Sequence, residues 1–155
     1  MYEIIDGYPL YIYCCNMTFQ FMLFPLLCVF YNTIVFNTSF VSLMLKDFLI
    51  VSNNVLMNCH HGLSIVLTVL FCNSQSTAII IAVGEFGSGA YNSYTLAKHY
   101  DYSPEYVYWF YAITMTLSNI YCLFGIYNTP VYKVYKIPAY GLIVVRQYFL
   151  HSIHL

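Results

Sequence analysis

The sequence predicts an all-α fold, a polytopic transmembrane helical bundle with about five membrane helices and a range of four to six. Of its 155 residues, 61% are hydrophobic and only 7% are charged, whereas soluble domains are roughly 45–50% apolar. Three stretches without Asp, Glu, Lys or Arg are long enough for a spanning helix of about 20 residues: Gly7–Leu45, Phe48–Gly84 and Tyr106–Tyr132. We therefore expect residues 1–155 to form a single transmembrane domain.

The first predicted span runs from Leu10 to about Tyr31, with a kink at Pro25. A proline is tolerated inside a membrane helix because neighbouring helices satisfy the freed carbonyl group. The N-terminal segment Met1–Asp6 is acidic and lacks the positive region of a cleavable signal peptide. We therefore expect insertion to depend on this first helix.

The next part of the chain allows two interpretations. In one, Asn37-Thr38-Ser39 forms a turn, and a helix runs from about Ser39 to about Asn58. In the other, a single helix runs from Phe48 to Cys72. Hydropathy does not separate the two. The polar segment Asn73–Thr77 that follows is the clearest internal loop.

Two further helices are predicted on either side of a polar stretch, Lys98–Glu105. The first runs from Ala78 to about His99. The second runs from Glu105 to about Tyr127. Pro104 is well placed as its first residue, because a helix start does not need the N–H group that proline lacks.

The last part of the chain contains a predicted loop and a predicted helix. The loop, Asn128–Pro138, carries two lysines, which by the positive-inside tendency places it in the cytoplasm. The helix, Ala139–Leu155, is short for a membrane span.

The candidate functional residues are ionisable and polar side chains within apolar sequence. His60-His61, Glu85 and Asn92 lie in such sequence, and no Asp, Glu, Lys or Arg lies between Asp47 and Glu85. A lone carboxyl group is costly to place in hydrocarbon unless it is protonated, paired or facing a wet cavity. The pattern therefore predicts an intramembrane site.

Helical geometry predicts that these side chains converge. If the polar loop is the turn of a helical hairpin, His61 lies at the membrane level of Gly89, and Glu85 lies about 6 Å along the axis from that level. Asn92 lies on the same face as Glu85, because seven residues make nearly two turns. We expect Gly87 and Gly89 to let the two helices of this hairpin approach closely.

This cluster suits acid–base chemistry. A carboxyl group beside an imidazole can orient the ring and increase its basicity, which makes His60 or His61 a candidate general base and Glu85 its catalytic partner. Because neighbouring helical residues point about 100° apart, we expect only one of the two histidines to face the site. The residues assigned to substrate binding are Asp47, Ser88 and Asn92.

Other binding classes are not indicated. The net charge of −1 and the lack of a basic run argue against a nucleic-acid partner. The two histidines are adjacent rather than four residues apart as in zinc-binding helices, so no metal is expected, and no cofactor is expected either. Membrane lipid is the expected partner, and the oligomeric state stays open.

Each candidate residue also has a structural interpretation. The histidines can join helices through hydrogen bonds, and Glu85 can pair with Lys98 or Lys46. Asp47 can pair with its neighbour Lys46. Arg146, isolated in the last helix, either extends toward the membrane interface or binds a phosphate headgroup.

Part of the sequence resembles the TLC domain family. The resemblance spans Lys46 to His99 and consists of Asp47, then His60-His61, then Glu85-Phe-Gly-Ser-Gly-Ala-Tyr-Asn92. Members of that family show a paired His, then a Glu-x-Ser-type segment with Asn seven residues after the Glu. Here Gly87 replaces the expected Ser, and Ser88 follows it. The His-Asp and Asp-x-x-Leu-Glu elements of the ceramide synthases are missing, so the resemblance is to the non-synthase branch.

The resemblance implies a membrane protein of the endomembrane system or plasma membrane that binds, senses or organises lipid. The short last helix leaves open that the chain is a truncated relative. Three hypotheses follow: a lipid-handling protein with an intramembrane His/Glu/Asn cavity, a lipid-modifying enzyme for acyl transfer or hydrolysis with His60 or His61 as base, and a small proton-linked carrier that uses Glu85 and the histidines as a relay.

Overall fold

The structure, a computed structural model, describes residues 3–50, 55–130 and 133–152, without the side chains at positions 56, 57, 135 and 149–152. In these ranges the chain forms six helices and one small antiparallel hairpin, which confirms the all-α prediction apart from that hairpin. The strands are β1 (Ile4–Ile5) and β2 (Tyr8–Pro9). The helices are α1 (Leu10–Val29), α2 (Thr33–Ile50), α3 (Val55–Phe71), α4 (Gln75–His99), α5 (Pro104–Asn128) and α6 (Lys133–Ser152).

Three of the described helices, α1, α2 and α5, are long and apolar enough to cross a membrane. A shorter apolar stretch, Asn58–Phe71, lies in α3. Helix α4 is long, but Glu85 and Asn92 interrupt its apolar sequence. The described residues therefore provide three long candidate spans and one shorter apolar helix.

Helix α1 contains one irregular turn. Residues Phe19–Leu23 are π-helical, and Pro25 is the second residue after them. A proline lacks the N–H group and crowds the preceding turn, which a local π adjustment accommodates. The disturbance predicted at Pro25 thus takes the form of a π-helical turn, and this turn carries Gln20.

The predicted turn at Asn37-Thr38-Ser39 is wrong, because α2 already begins at Thr33. The side-chain oxygen of Asn32 accepts hydrogen bonds from two backbone N–H groups of the first turn, at 3.0 and 3.1 Å, and so caps the helix start. Asn37 instead donates a hydrogen bond from inside α2 to the Cys72 carbonyl oxygen, at 3.2 Å.

Neither predicted interpretation of the following segment is correct. Helices Thr33–Ile50 and Val55–Phe71 replace both the helix from Ser39 to Asn58 and the helix from Phe48 to Cys72. The sequence Ser-Asn-Asn at positions 52–54, between the two helices, consists of residues that favour turns. These positions lie outside the described residues.

Two predicted loops are longer than the observed ones. The loop predicted at Asn73–Thr77 ends at Ser74, whose hydroxyl oxygen accepts from the Thr77 backbone N–H at 3.3 Å and caps α4. The loop predicted at Asn128–Pro138 is also wrong at its end, because α6 begins at Lys133. Pro138 is the sixth residue of α6, so its missing N–H group removes one backbone hydrogen bond near the helix start, the one to the Val134 carbonyl oxygen.

The last helix is consequently Lys133–Ser152 rather than Ala139–Leu155, and residues 153–155 lie outside the described part. Pro104 is the first residue of α5, as the sequence predicts.

Helix α4 packs against α1 and α5, whereas α3 packs against α2 and also touches α6. The consecutive helices α3 and α4 have few close contacts with each other. Gly89 lies against α1, since a Cβ atom there would come within 2.9 Å of the Phe21 ring, and Gly87 faces Ser118 and Met115 of α5. The prediction that these glycines bring α3 and α4 together is therefore wrong, and a space remains between the two helices.

Candidate functional site

A cavity of about 380 Å³ occupies the space between α3 and α4. This volume falls within the range of roughly 300–1,000 Å³ that is usual for small-molecule sites. All six residues that the sequence assigns to catalysis or substrate binding lie in its wall: Asp47, His60, His61, Glu85, Ser88 and Asn92. The roles assigned to them remain predictions.

Both histidines line this cavity, so the prediction that only one of them faces the site is wrong. Their rings are 5.5 Å apart between centroids and lie edge to face at 78°. The cavity is wide enough to extend past two side chains that leave the helix in different directions. The Nδ1 atoms of His60 and His61 are buried and have no hydrogen-bond partner among the described residues.

Glu85 and Asn92 are joined through Gln20 of the π-helical turn. The Gln20 Nε2 atom donates to Glu85 Oε2 at 2.9 Å, and Asn92 Nδ2 donates to Gln20 Oε1 at 2.9 Å. All three side chains are at least 90% buried. Glu85 forms no ion pair with Lys98 or Lys46 among the described residues, so that structural interpretation is wrong.

Asp47 belongs to a second polar group, which lies one turn along α1 from Gln20. It forms an ion pair with Lys46 and accepts a hydrogen bond from Asn16 Nδ2 at 3.2 Å. The Lys46 Nζ atom in turn donates to Asn16 Oδ1 at 2.7 Å. Asp47 therefore both pairs with Lys46 and contributes to the cavity wall.

Arg146 of α6 points into the bundle. Its Nη2 atom donates to the carbonyl oxygen of Gly84, to Ser88 Oγ at 3.3 Å and to Met115 Sδ at 3.3 Å. Gly84 leaves room for the guanidinium group, since a Cβ atom there would lie 3.1 Å from Arg146 Nη1. The interpretation that this side chain extends to the membrane interface is therefore wrong.

The other end of the cavity is aromatic and lies next to the N-terminal hairpin. Tyr91 and Tyr111 line it with ring centroids 5.4 Å apart, and Tyr8 and Tyr13 line it with centroids 6.3 Å apart. Asp6, in the turn of the hairpin, also lines the cavity and is exposed. At this end the cavity wall therefore includes an exposed residue of the N-terminal hairpin, Asp6.

A second, apolar cavity of about 170 Å³ adjoins the first. Three residues line both cavities: His60, Glu85 and Arg146. The rest of its wall comes mainly from apolar side chains of α3, α4, α5 and α6, such as Leu67 and Ile143. A polar and an apolar compartment therefore meet where imidazole, carboxyl and guanidinium groups lie.

The described residues contain no group of three or more His, Cys, Asp or Glu side chains placed to hold a metal ion. The arrangement instead offers hydrogen-bond donors and acceptors beside a hydrophobic compartment. Such a combination suits an amphipathic molecule.

Sequence reasoning missed two residues that build this site. Asn16 and Gln20 lie four residues apart on one face of the otherwise apolar α1, and this spacing in a membrane helix is a signal for a shared polar surface. Arg146 was recognised as unusual, but its direction depends on how α6 packs, which the sequence does not specify.

No protein-family model matches the chain, and no curated protein or solved structure shows significant similarity to it. The likeness to the TLC domain family therefore rests on the quoted residues alone.

Proposed function

We propose that the protein is a multi-pass integral membrane protein of TLC-like type, in the endomembrane system or plasma membrane, that binds lipid in the cavity between α3 and α4. Binding would serve lipid sensing, handling or homeostasis. The single observation that carries the proposal is the junction of the 380 Å³ polar cavity with the apolar one at His60, Glu85 and Arg146. A lipid has a polar headgroup next to an apolar chain, and this pair of compartments matches that order.

The apolar helices around the cavity support a membrane location. Large side chains are exposed along the candidate spans, including Met22 of α1, Leu49 of α2 and Leu117 of α5. Exposed apolar surface on this scale is costly in water and favourable in hydrocarbon. The polar residues of the site face inward, as functional ionisable residues in membrane proteins do.

The direct experiment is mass spectrometry of lipids that copurify with the full-length protein in mild detergent. The test variant is Ser88→Phe, which places a large ring in the cavity. The matched control is Ser76→Phe on an exposed position of the same helix. We expect Ser88→Phe to lose the bound lipid and Ser76→Phe to keep it.

A second pair of variants tests the carboxyl group. Glu85→Gln should change the bound lipid profile, whereas Glu105→Gln, exposed at the start of α5, should not. If wild type, Ser88→Phe and Glu85→Gln copurify with identical lipids in identical amounts, the cavity is not the lipid site.

An enzymatic role is the second candidate, because the unpaired Nδ1 atoms of His60 and His61 in the cavity wall are suited to proton transfer. Such an enzyme would turn over lipid in reconstituted membranes. It would lose turnover in His60→Ala or His61→Ala while lipid still bound and folding was intact. A binding protein would show no product in any variant.

A further inference from the structure

The guanidinium group of Arg146 has free donors in the cavity. Every hydrogen bond recorded for it comes from Nη2, to Gly84, Ser88 and Met115. Arginine also carries N–H groups on Nη1 and Nε, and these have no acceptor among the described residues. No ion pair joins Arg146 to an acidic side chain within that part of the chain. A cation held in this way favours an anionic group of a ligand.

The groups beside Arg146 also suit an anion. Ser88 Oγ lies 3.3 Å from Arg146 Nη2, and His60 lines the same junction with a buried, unpartnered Nδ1. Hydroxyl, imidazole and guanidinium groups together bind phosphate oxygens in proteins. The Glu85 carboxyl group, which lines the same junction, accepts a hydrogen bond from Gln20 of α1.

The far end of the polar cavity has the opposite preference. Tyr8, Tyr13, Tyr91 and Tyr111 place four aromatic rings in its wall, together with the carboxyl group of Asp6. Aromatic faces with a nearby carboxylate attract quaternary ammonium groups. A fatty acid bound at Arg146 has no ammonium group to place among these tyrosines, so it matches only one end of the cavity.

The apolar cavity limits the hydrophobic part of the ligand. Its 170 Å³ is below the usual range of roughly 300–1,000 Å³ for a whole small-molecule site. It therefore accommodates part of one acyl chain rather than two chains side by side. Along the two adjoining cavities the order is first the mainly apolar compartment, whose wall also includes Lys136, then the junction with Arg146 and Glu85, and then the aromatic rings with Asp6.

We propose that the two adjoining cavities together hold a zwitterionic phospholipid with a single acyl chain. Its phosphate binds Arg146 and Ser88, its ammonium group lies among the tyrosines near Asp6, and its chain enters the apolar cavity. The inference rests on the proposed lipid binding and specifies the headgroup. Choline and ethanolamine headgroups share this chemistry, and the aromatic wall favours the quaternary ammonium of choline.

The test measures binding of probes with equal chain length to the full-length protein by native mass spectrometry. Lysophosphatidylcholine carries both charges, lysophosphatidic acid only the phosphate, an alkyltrimethylammonium only the cation, and a fatty acid only a carboxylate. Lysophosphatidylethanolamine distinguishes the two zwitterions. We expect lysophosphatidylcholine to bind at least about tenfold more tightly than lysophosphatidic acid or the alkyltrimethylammonium, because a desolvated cation–π site and a charged hydrogen bond each contribute that much.

Variants then assign the two ends separately. Arg146→Met should weaken binding of the three phosphate-bearing probes and leave binding of the alkyltrimethylammonium unchanged. Arg146→Lys should be intermediate, because the charge remains and the planar fork of donors is lost. Asp6→Asn should weaken binding of the three ammonium-bearing probes and leave binding of lysophosphatidic acid unchanged. Asp101→Asn is the matched control, since both aspartates lie in exposed turns with positive φ, at 46° and 51°.

Two results would overturn the inference, and they differ in what else they reject. Equal affinity for lysophosphatidylcholine, lysophosphatidic acid and fatty acid, with no effect of Asp6→Asn, removes the headgroup assignment and leaves lipid binding in place. Failure of every probe to bind, together with no copurifying lipid, removes the proposed function as well.

Discussion

The side chain of Gln20 donates a hydrogen bond to the carboxyl group of Glu85 across 2.9 Å, between residues 65 positions apart in the chain. Gln20 also accepts a hydrogen bond from Asn92, which lies on the same face of α4 as Glu85, about two turns further along. This bridge connects the π-helical turn of α1 to α4 and fixes one wall of the polar cavity. The carboxyl group of Glu85 on the cavity wall is thus positioned by Gln20 of α1 and not by a residue of α3.

Replacement of Gln20 by leucine should destabilise the protein. Gln20→Leu leaves Glu85 and Asn92 without their partner, and interhelical hydrogen bonds in membranes contribute about 1–2 kcal/mol. We expect a loss of that size in the free energy of unfolding, measured by denaturant titration in detergent micelles. Met22→Leu, 69% exposed on the same helix, is the control and should change little. Equal stability of the two variants would show that the bridge does not hold the helices.

A methyl group at Gly89 should separate α1 from α4. A Cβ atom there would lie 2.9 Å from two carbons of the Phe21 ring, and this ring already packs edge to face on Phe86. We expect Gly89→Ala to cost about 1–3 kcal/mol in the free energy of unfolding, as overpacking does. Gly141→Ala is the control, because its Cβ would meet nothing within 4 Å and alanine favours a helix. A neutral or stabilising Gly89→Ala would contradict the described packing.

Removal of the Asp47 charge should destabilise the contact between α1 and α2. Asp47→Asn leaves Lys46 without its ion pair, and the two side chains are 8% and 23% exposed. Breaking a fully buried pair costs about 3–5 kcal/mol, and the partial exposure of Lys46 reduces this to about 1–3 kcal/mol. Thermal unfolding in detergent measures the effect, with Asp101→Asn in the exposed turn as control. A cost no larger than that of the control would mean that the pair is solvated.

The position of the candidate site could be inferred from sequence because ionisable side chains in apolar stretches are costly. His60-His61, Glu85 and Asn92 stand out for this reason, and the structure brings all of them to one cavity. The inferred geometry was wrong in its main assumption, that α3 and α4 pack together. Periodicity shows which residues share a face of one helix, but it does not show which helix covers that face.

The predicted helix boundaries were wrong at several positions, and Asn37 shows that a tertiary hydrogen bond can be the reason. Asparagine favours turns, yet Asn37 lies inside α2, where its side-chain amide donates a hydrogen bond to the carbonyl oxygen of Cys72, the residue after α3. Asn32 caps α2 through its own side chain, a local signal that the sequence does contain. Pro138 has the composition of a loop but is tolerated near the start of α6. At Asn37 a tertiary hydrogen bond therefore overrides the local turn propensity.

The N-terminal hairpin should respond to high pH through Tyr100. Tyr100 donates a hydrogen bond to Glu3 at 2.9 Å, and this bond to a carboxylate raises the pKa of Tyr100 above its ordinary value of 10.0. A raised pKa means that the contact is present below pH 10 and is lost as the pH rises through the higher folded value. Tyrosine-selective NMR, with the signal assigned by Tyr100→Phe, should show late titration in the wild type. Glu3→Gln should return the pKa toward its ordinary value, and an unchanged titration would contradict the contact.

Photo-crosslinking tests most directly whether one lipid-binding cavity lies between α3 and α4. The full-length protein is reconstituted with a phospholipid that carries a photoreactive group in its acyl chain, and the labelled residues are mapped by mass spectrometry. We expect adducts on residues that line the apolar cavity, such as Leu67 and Ile143, and we expect these adducts to disappear in Ser88→Phe. Adducts confined to the exposed surface, such as Leu49 and Leu117, in both proteins would contradict it.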